Sequence, residues 1–163
     1  MSSGYPPISR YALLSDCHSA ALLSLDGSID WSCFRRFDAP PVFARLLDWN
    51  RGGYFRVAPT GRYIAIRRYL PGTNVLETRF LTDSGMVWVL DCLAVRRGAT
   101  VGDATRTHHQ LLRLVYCTSG QVEVRVEFVP RFDYGLTTPR LELDGDDVGV
   151  VDGGASSRGT LRS

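Results

Sequence analysis

Two aspartates, Asp30 and Asp38, flank the stretch Cys33-Phe34-Arg35-Arg36-Phe37. Paired carboxylates are what glycoside hydrolysis requires, held about 5–5.5 Å apart for retention or about 6.5–9.5 Å for inversion. The neighbours of Asp38 oppose that use. A guanidinium beside a carboxyl favours the ionised form, the wrong state for a general acid. An ion-paired turn at Arg35-Arg36-Phe37-Asp38 is the expectation. His18, next to Asp16, suits an Asp–His hydrogen bond in a turn, but no serine or cysteine nucleophile is spaced to join it. His108 and His109 are adjacent on a predicted strand, so they point to opposite faces and cannot share a metal. No GxSxG, HExxH, phosphate-loop or dinucleotide-glycine motif occurs. The cysteines at 17, 33, 92 and 117 form no CxxC pair and no zinc-type Cys/His spacing. The residues therefore predict no catalytic set, no metal and no cofactor.

What remains is a dense polar-aromatic stretch, Asp26 to Asp38. Asp26-Gly27 between apolar runs signals a hairpin, with positive φ at both central residues of a type I′ turn. Strict alternation then puts Ile29, Trp31 and Cys33 on one strand face and Ser28, Asp30 and Ser32 on the other. Arg-Phe-Asp occurs twice, at Arg36-Phe37-Asp38 and Arg131-Phe132-Asp133. Each triplet follows a strand. Its phenylalanine can plug an end of a sandwich, and its charged neighbours can offer a polar edge to a partner domain or a sugar.

The elements that must position this stretch are strands. Runs at 11–15, 19–33, 54–57, 63–70, 75–81, 86–93, 108–117 and 122–129 are bounded by Gly, Pro, Asp and Ser. Three hairpins are expected, turning at Asp26-Gly27, at Asp83-Ser84-Gly85 and at Ser119-Gly120. Val42, Phe43, Leu46 and Leu47 share a helical face behind Pro41, which predicts one short helix over 41–48. Regular spacing of short strands points to an all-β fold, an antiparallel two-sheet sandwich, expected to be incomplete at its C-terminal end.

Composition fits such a domain. The chain has 163 residues, 44% of them hydrophobic, and a net charge of +2. That charge is too small to call for nucleic acid or an anionic membrane. No apolar run approaches the length of a membrane helix, about 20 residues, and no signal peptide is read at the N-terminus. Each cysteine lies in or beside an apolar run, so buried free thiols and a cytoplasmic location are expected.

The order of motifs carries a resemblance. Tyr11-Ala12-Leu13-Leu14-Ser15-Asp16-Cys17, Ala20-Ala21-Leu22 and Asp26-Gly27-Ser28-Ile29-Asp30-Trp31 are followed by Arg36-Phe37-Asp38-Ala39-Pro40 and Gly52-Gly53. Tyr69 to Thr78 (YLPGTNVLET) and Pro130-Arg131-Phe132-Asp133-Tyr134 complete the series. This resembles the N-terminal domain of bacterial trehalases and glucoamylase-like enzymes of glycoside hydrolase family fifteen. The resemblance implies a single β-sandwich over residues 1–163 that precedes a catalytic (α/α)₆ barrel lying outside this chain. In that family the catalytic glutamates belong to the barrel, and none of Glu77, Glu123, Glu127 or Glu142 matches them. The implied role is a non-catalytic accessory domain of a trehalose- or α-glucan-cleaving hydrolase, with the barrel as partner in cis or in trans. Trp31, Arg36, Phe37 and Asp38 are then the residues expected to face the barrel or an α-glucoside. The family usually carries Leu-Pro before the first Arg-Phe-Asp, where this chain has Phe34-Arg35, so a less rigid or differently aimed loop is expected. Two other readings remain: a free-standing carbohydrate-binding module, and an inactive truncated product.

Overall fold

A computed structural model describes residues 5–95, 109–144, 147–151 and 160–161. In chain order the strands are β1 Tyr11–Ser15, β2 Ala20–Ser24, β3 Ser28–Cys33, β4 Tyr54–Pro59, β5 Ile64–Tyr69, β6 Leu76–Leu81, β7 Gly85–Leu93, β8 Leu111–Gly120 and β9 Val124–Val129. Beyond them lie β10 Arg140–Asp144, β11 Asp147–Val151 and β12 Thr160–Leu161. One sheet runs β1-β2-β3-β4-β9, a second runs β5-β6-β7-β8, and a small third sheet runs β10-β11-β12. Every pairing is antiparallel.

The first two sheets pack face to face, as the alternation requires. Ala12, Leu14, Ala21, Leu23, Ile29, Phe55 and Val57 meet Leu76, Phe80, Val87, Val89 and Leu93 in one core. Burying each large apolar side chain contributes roughly 1.5–3 kcal/mol. A charged latch also crosses between the layers. Arg113 on β8 donates to Asp91 Oδ1 at 2.7 Å, to the Phe55 carbonyl at 2.7 Å and to the Gly27 carbonyl at 2.8 Å. Its guanidinium lies 4.6 Å from the centre of the Phe55 ring. One side chain thus ties β7 and β8 to β4 and to the β2–β3 turn.

Four local expectations are corrected. No helix forms over 41–48. Phe43 instead makes a bridge with Ser32, Leu46 N–H donates to the Asp30 carbonyl, and a turn follows at residues 45–47. Edge pairing with β3 and burial of Phe43 outweigh a helical periodicity too short to sustain itself. Nor do β8 and β9 form a hairpin. β8 pairs with β7 and β9 with β4, so the chain changes sheets after Gly120. The Asp26-Gly27 turn is a three-residue loop, closed by Gly27 N–H to the Ser24 carbonyl, and its positive φ falls on Gly27 and not on Asp26. A β-carbon at Gly27 would strike the Val57 carbonyl.

The fourth correction concerns β3. Trp31 pairs with Leu22 while Ile29 pairs with Leu23, so Asp30 is an extra residue in the ladder. Adjacent residues of β2 face opposite ways, hence Ile29 points into the core and Trp31 points out. They do not share a face.

Candidate functional site

The bulge at Asp30 decides what the 31–38 loop presents. Trp31 lies half-exposed on the outer side of the first sheet, in the row Leu13–Leu22–Trp31. Beyond Cys33 the chain turns at Arg35, which has φ 73° and donates its N–H to Ser19 Oγ at 3.0 Å. Proline could do neither, because its φ is fixed near −65° and it has no N–H. The Phe34-Arg35 departure is therefore matched by a backbone that a Leu-Pro sequence could not adopt. Arg36 then grips Asp38 through two hydrogen bonds, 2.8 and 2.7 Å long. The guanidinium holds the Asp38 carboxyl below its ordinary value. That is the ion-paired turn expected from the sequence. Phe37 between them is 59% exposed, whereas Phe132 of the second triplet is buried. One triplet plugs the sandwich and the other projects from it.

Asp30 is a structural acid. It is fully buried, with Tyr11 Oη donating to Oδ2 at 2.7 Å, Ser28 Oγ to Oδ1 at 2.5 Å, and Arg45 3.8 Å from Oδ1. Burial pushes its pKa up, against the two hydrogen bonds and the Arg45 charge. Burial, followed by the bond to Asp30, likewise pushes Tyr11 up. Asp38, by contrast, is exposed and engaged by Arg36.

A pH dependence follows. A carboxyl whose pKa rises on folding binds its proton more tightly in the native state. Its contribution then favours the fold at acid pH and is lost as pH climbs from 3.8 through the raised value. Asp30→Asn removes that slope. Urea midpoints of the two proteins should converge or cross as pH rises from about 4 towards neutrality, by about 1.4 kcal/mol per unit of pKa displacement. Parallel profiles would show that Asp30 does not titrate this way.

The segment that replaces the expected helix builds a second polar cluster. Arg45 lies between the rings of Trp49 and Tyr54, 4.0 Å from each centroid. Tyr5 meets Trp49 edge-on at 5.4 Å. Arg56 reaches Asp26 Oδ2 at 3.4 Å and Glu127 Oε2 at 3.3 Å, while Tyr54 Oη donates to Glu127 Oε1 at 3.2 Å. Asp26, Arg45, Trp49, Tyr54, Arg56 and Glu127 line a groove of about 190 Å³. Sequence reasoning missed this cluster, since its members lie on four segments of the chain. The aromatics flanking Gly52-Gly53 were the available signal.

The histidine contacts differ from those expected. Asp16 Oδ1 accepts the backbone N–H of His18 at 2.9 Å, so the expected Asp–His contact within the turn is made by backbone and not by the ring. It is the ring of His109 that meets Asp16, at 3.3 Å, and Ser19 Oγ, at 3.1 Å, both through Nδ1. A Ser-His-Asp relay needs one partner on each ring nitrogen. His109 lies ahead of β8 at φ 49°, not on a strand as expected, and His108 falls outside the described residues. No metal-ligating group of three occurs among the described residues. All four thiols are free; Cys33 is buried, Cys92 is half-buried, and Cys17 and Cys117 are exposed rather than buried.

The outer face of the second sheet is largely apolar. Register places Ile66, Arg79, Trp88 and Tyr116 in one row, and Arg68, Glu77, Leu90 and Leu114 in the next. Ile64, Ile66, Leu112, Leu114 and Tyr116 are exposed. Arg79 stacks on Trp88 at 4.0 Å, and Arg68 and Arg79 both reach Glu77 Oε1, at 2.9 and 2.7 Å. Burial opposes the Glu77 charge, but the two arginines prevail and hold its pKa down. Apolar side chains around arginine–aromatic anchors are the composition of protein-binding surfaces.

Fold and surface together define an antiparallel β-sandwich with a projecting Arg-Phe-Asp loop and, among the described residues, an exposed apolar face on the second sheet. The family model for the trehalase-like N-terminal domain matches residues 2–162, and the chain belongs to that family. It is 40% identical to a trehalase of Mycolicibacterium smegmatis over 173 aligned positions, covering 97% of this chain and 26% of the relative. The trehalase of Mycobacterium tuberculosis is 40% identical over 80% of this chain and 21% of its own length. That of Thermoplasma volcanium is 30% identical over 86% and 22%. The chain thus spans about a quarter of the curated relatives it matches. No solved structure matches it. Among the described residues, no helix is long and apolar enough to cross a membrane.

Proposed function

We propose that this chain is the non-catalytic N-terminal accessory domain of a trehalose- or α-glucan-cleaving glycoside hydrolase. One observation carries the reading: residues 2–162 match the trehalase-like N-terminal family end to end, yet align with only 26% or less of trehalases. The chain serves as a single domain in this reading, and an (α/α)₆ catalytic barrel, supplied in cis or in trans, is its partner. The exposed Ile64, Ile66, Leu112, Leu114 and Tyr116 on the outer face of β5–β8 support packing of this kind, because contiguous exposed apolar side chains mark interaction sites. The loop bearing Trp31, Arg36, Phe37 and Asp38 rims the barrel. Phe37 projects there on a turn clamped by Arg36 and Asp38, which suits a contact with the partner or its α-glucoside. Neither nucleic acid nor membrane is a partner in this reading. The free thiols fit a reducing cytoplasm.

The test is direct. The purified chain should release no glucose from trehalose or from maltooligosaccharides. Turnover by the chain alone, abolished by substituting an acid within it, overturns the assignment.

A further inference from the structure

The geometry points to the outer edge of β8 as an interaction site for a second copy of this chain. The two copies add β8 to β8 antiparallel, about a two-fold axis at Leu114, and join their second sheets into one. This inference does not rest on the accessory role proposed above.

Main-chain geometry leaves that edge open. Ala94 N–H donates to the Gln110 carbonyl at 2.8 Å. The β7–β8 register continues from there through Cys92 with Leu112, Leu90 with Leu114 and Trp88 with Tyr116. Hydrogen-bonded pairs alternate along an antiparallel ladder, so these residues turn their N–H and C=O groups to β7. Leu111, Arg113, Val115 and Cys117 therefore turn theirs away from it. β8 ends its sheet, and among the described residues no main-chain hydrogen bond reaches those outward groups. Such a row is a template for strand addition.

The other edges of the two main sheets are blunted. Side chains of the second sheet stop β1. Tyr69 Oη accepts from Leu13 N–H at 3.1 Å and donates to the Leu13 carbonyl at 2.7 Å, and Arg67 donates to the Arg10 carbonyl at 3.0 Å. β9 carries the charges of Arg125 and Glu127, and β5 carries Arg67 beside Arg68. Charged side chains keep an edge from pairing with another chain. β8 lacks this protection. Its single charge, Arg113, is 4% exposed and bound to Asp91. Neither proline nor bulge interrupts it before the register shift at Met86 and Val87.

A second copy is selected because β8 is complementary to itself. Turned end for end, the strand sets Leu114 against its own counterpart, Leu112 against Tyr116 and Arg113 against Val115. Outward groups then meet outward groups. Arg113 with Val115 and Leu111 with Cys117 become hydrogen-bonded pairs, about eight bonds in all, and Leu114 lies in the closer pair on the axis. Leu114 is 54% and Val115 41% exposed in the single chain, and the pairing covers both. Like charges do not face each other across the axis, since Asp91 already neutralises each guanidinium. A contact of this symmetry closes at two copies. It is small and of the weak class, so the equilibrium should be visible at micromolar concentration.

The experiment is sedimentation equilibrium of the chain from low to high micromolar concentration, with amide hydrogen exchange at both ends of that range. A monomer–dimer equilibrium is expected, with protection at Leu111, Arg113, Val115 and Cys117 that grows with concentration. Val115→Pro removes one outward N–H and none of the bonds to β7. Leu114→Arg sets like charges on the axis. Each should weaken dimerisation by at least about tenfold, with the circular dichroism of the sandwich intact. The wild-type result decides even where a variant misfolds. A strict monomer overturns the proposal, and protection of those amides in a monomer would show the chain's own residues covering the edge. A dimer with those amides unprotected, a dimer that a folded Val115→Pro retains, or growth beyond two copies overturns it as well.

Discussion

Arg113→Met should cost about 3–5 kcal/mol of folding stability, because it leaves a buried carboxylate without its counter-charge. The side chains of Arg113 and Asp91 are 4% and 1% exposed. Asp91 Oδ2 already has no hydrogen-bond partner among the described residues, so Oδ1 carries the whole compensation. Removing the guanidinium also strips donors from the Phe55 and Gly27 carbonyls, where the two sheets are tied together. Burial already pushes the Asp91 carboxyl upward, against the attraction of Arg113. Without Arg113 nothing opposes that upward push, so the deficit should shrink as pH falls and the carboxyl is protonated. The double variant Asp91→Leu, Arg113→Met should recover most of the loss, since replacing a buried pair by apolar groups is often neutral or stabilising. Urea denaturation of wild type, single and double variants at two pH values reads all of this. A single variant within about 0.5 kcal/mol of wild type, the range of ordinary surface substitutions, would show that the latch does not hold the sheets.

Phe43→Ala is expected to cost about 3–5 kcal/mol as a large-to-small core change. The Phe43 ring meets Phe128 at 5.8 Å and Phe55 at 6.2 Å, and those two rings meet each other at 5.2 Å. This triad anchors the segment that reads as a helix in the sequence. Val42 and Phe43 bond to both sides of Ser32, Ala44 N–H donates to the Gly52 carbonyl at 2.7 Å, and Arg131 N–H reaches the Val42 carbonyl at 2.9 Å. Arg45 follows directly, so the loss should reach the groove as well. Chemical shifts of Trp49 and Tyr54 should move in Phe43→Ala, and Phe43→Leu should move them less and cost less. A stability loss with Trp49 and Tyr54 unmoved would separate the core from the groove and sink that part of the argument.

Much of the strand pattern was legible because it is written with period two. Thr78, Phe80, Val87 and Val89 alternate with half-buried or polar neighbours, and each is buried where the alternation puts it. The Arg36–Asp38 clamp was legible for a similar reason, since both partners lie within one turn. Elements that depend on distant partners were not. Leu46 and Leu47 carry a helical signal, but Phe43 is claimed by rings on β4 and β9. Ser119-Gly120 looks like a hairpin turn, but β7 offers β8 a register running from Gly85 to Leu93, and β9 finds β4 instead.

By itself, then, the sequence determined an all-β chain with its strands in the right places, its motif order and its family, because local backbone preference and side-chain alternation act over a few residues. Tertiary structure alone decided which strands pair, that a bulge at Asp30 turns Trp31 outward, and that Asp26, Arg45, Trp49, Tyr54, Arg56 and Glu127 meet in one groove. Those outcomes rest on contacts between residues far apart in the chain, such as Tyr54 and Glu127, 73 positions apart. Loop closure makes such contacts costly, and only the packed core repays it.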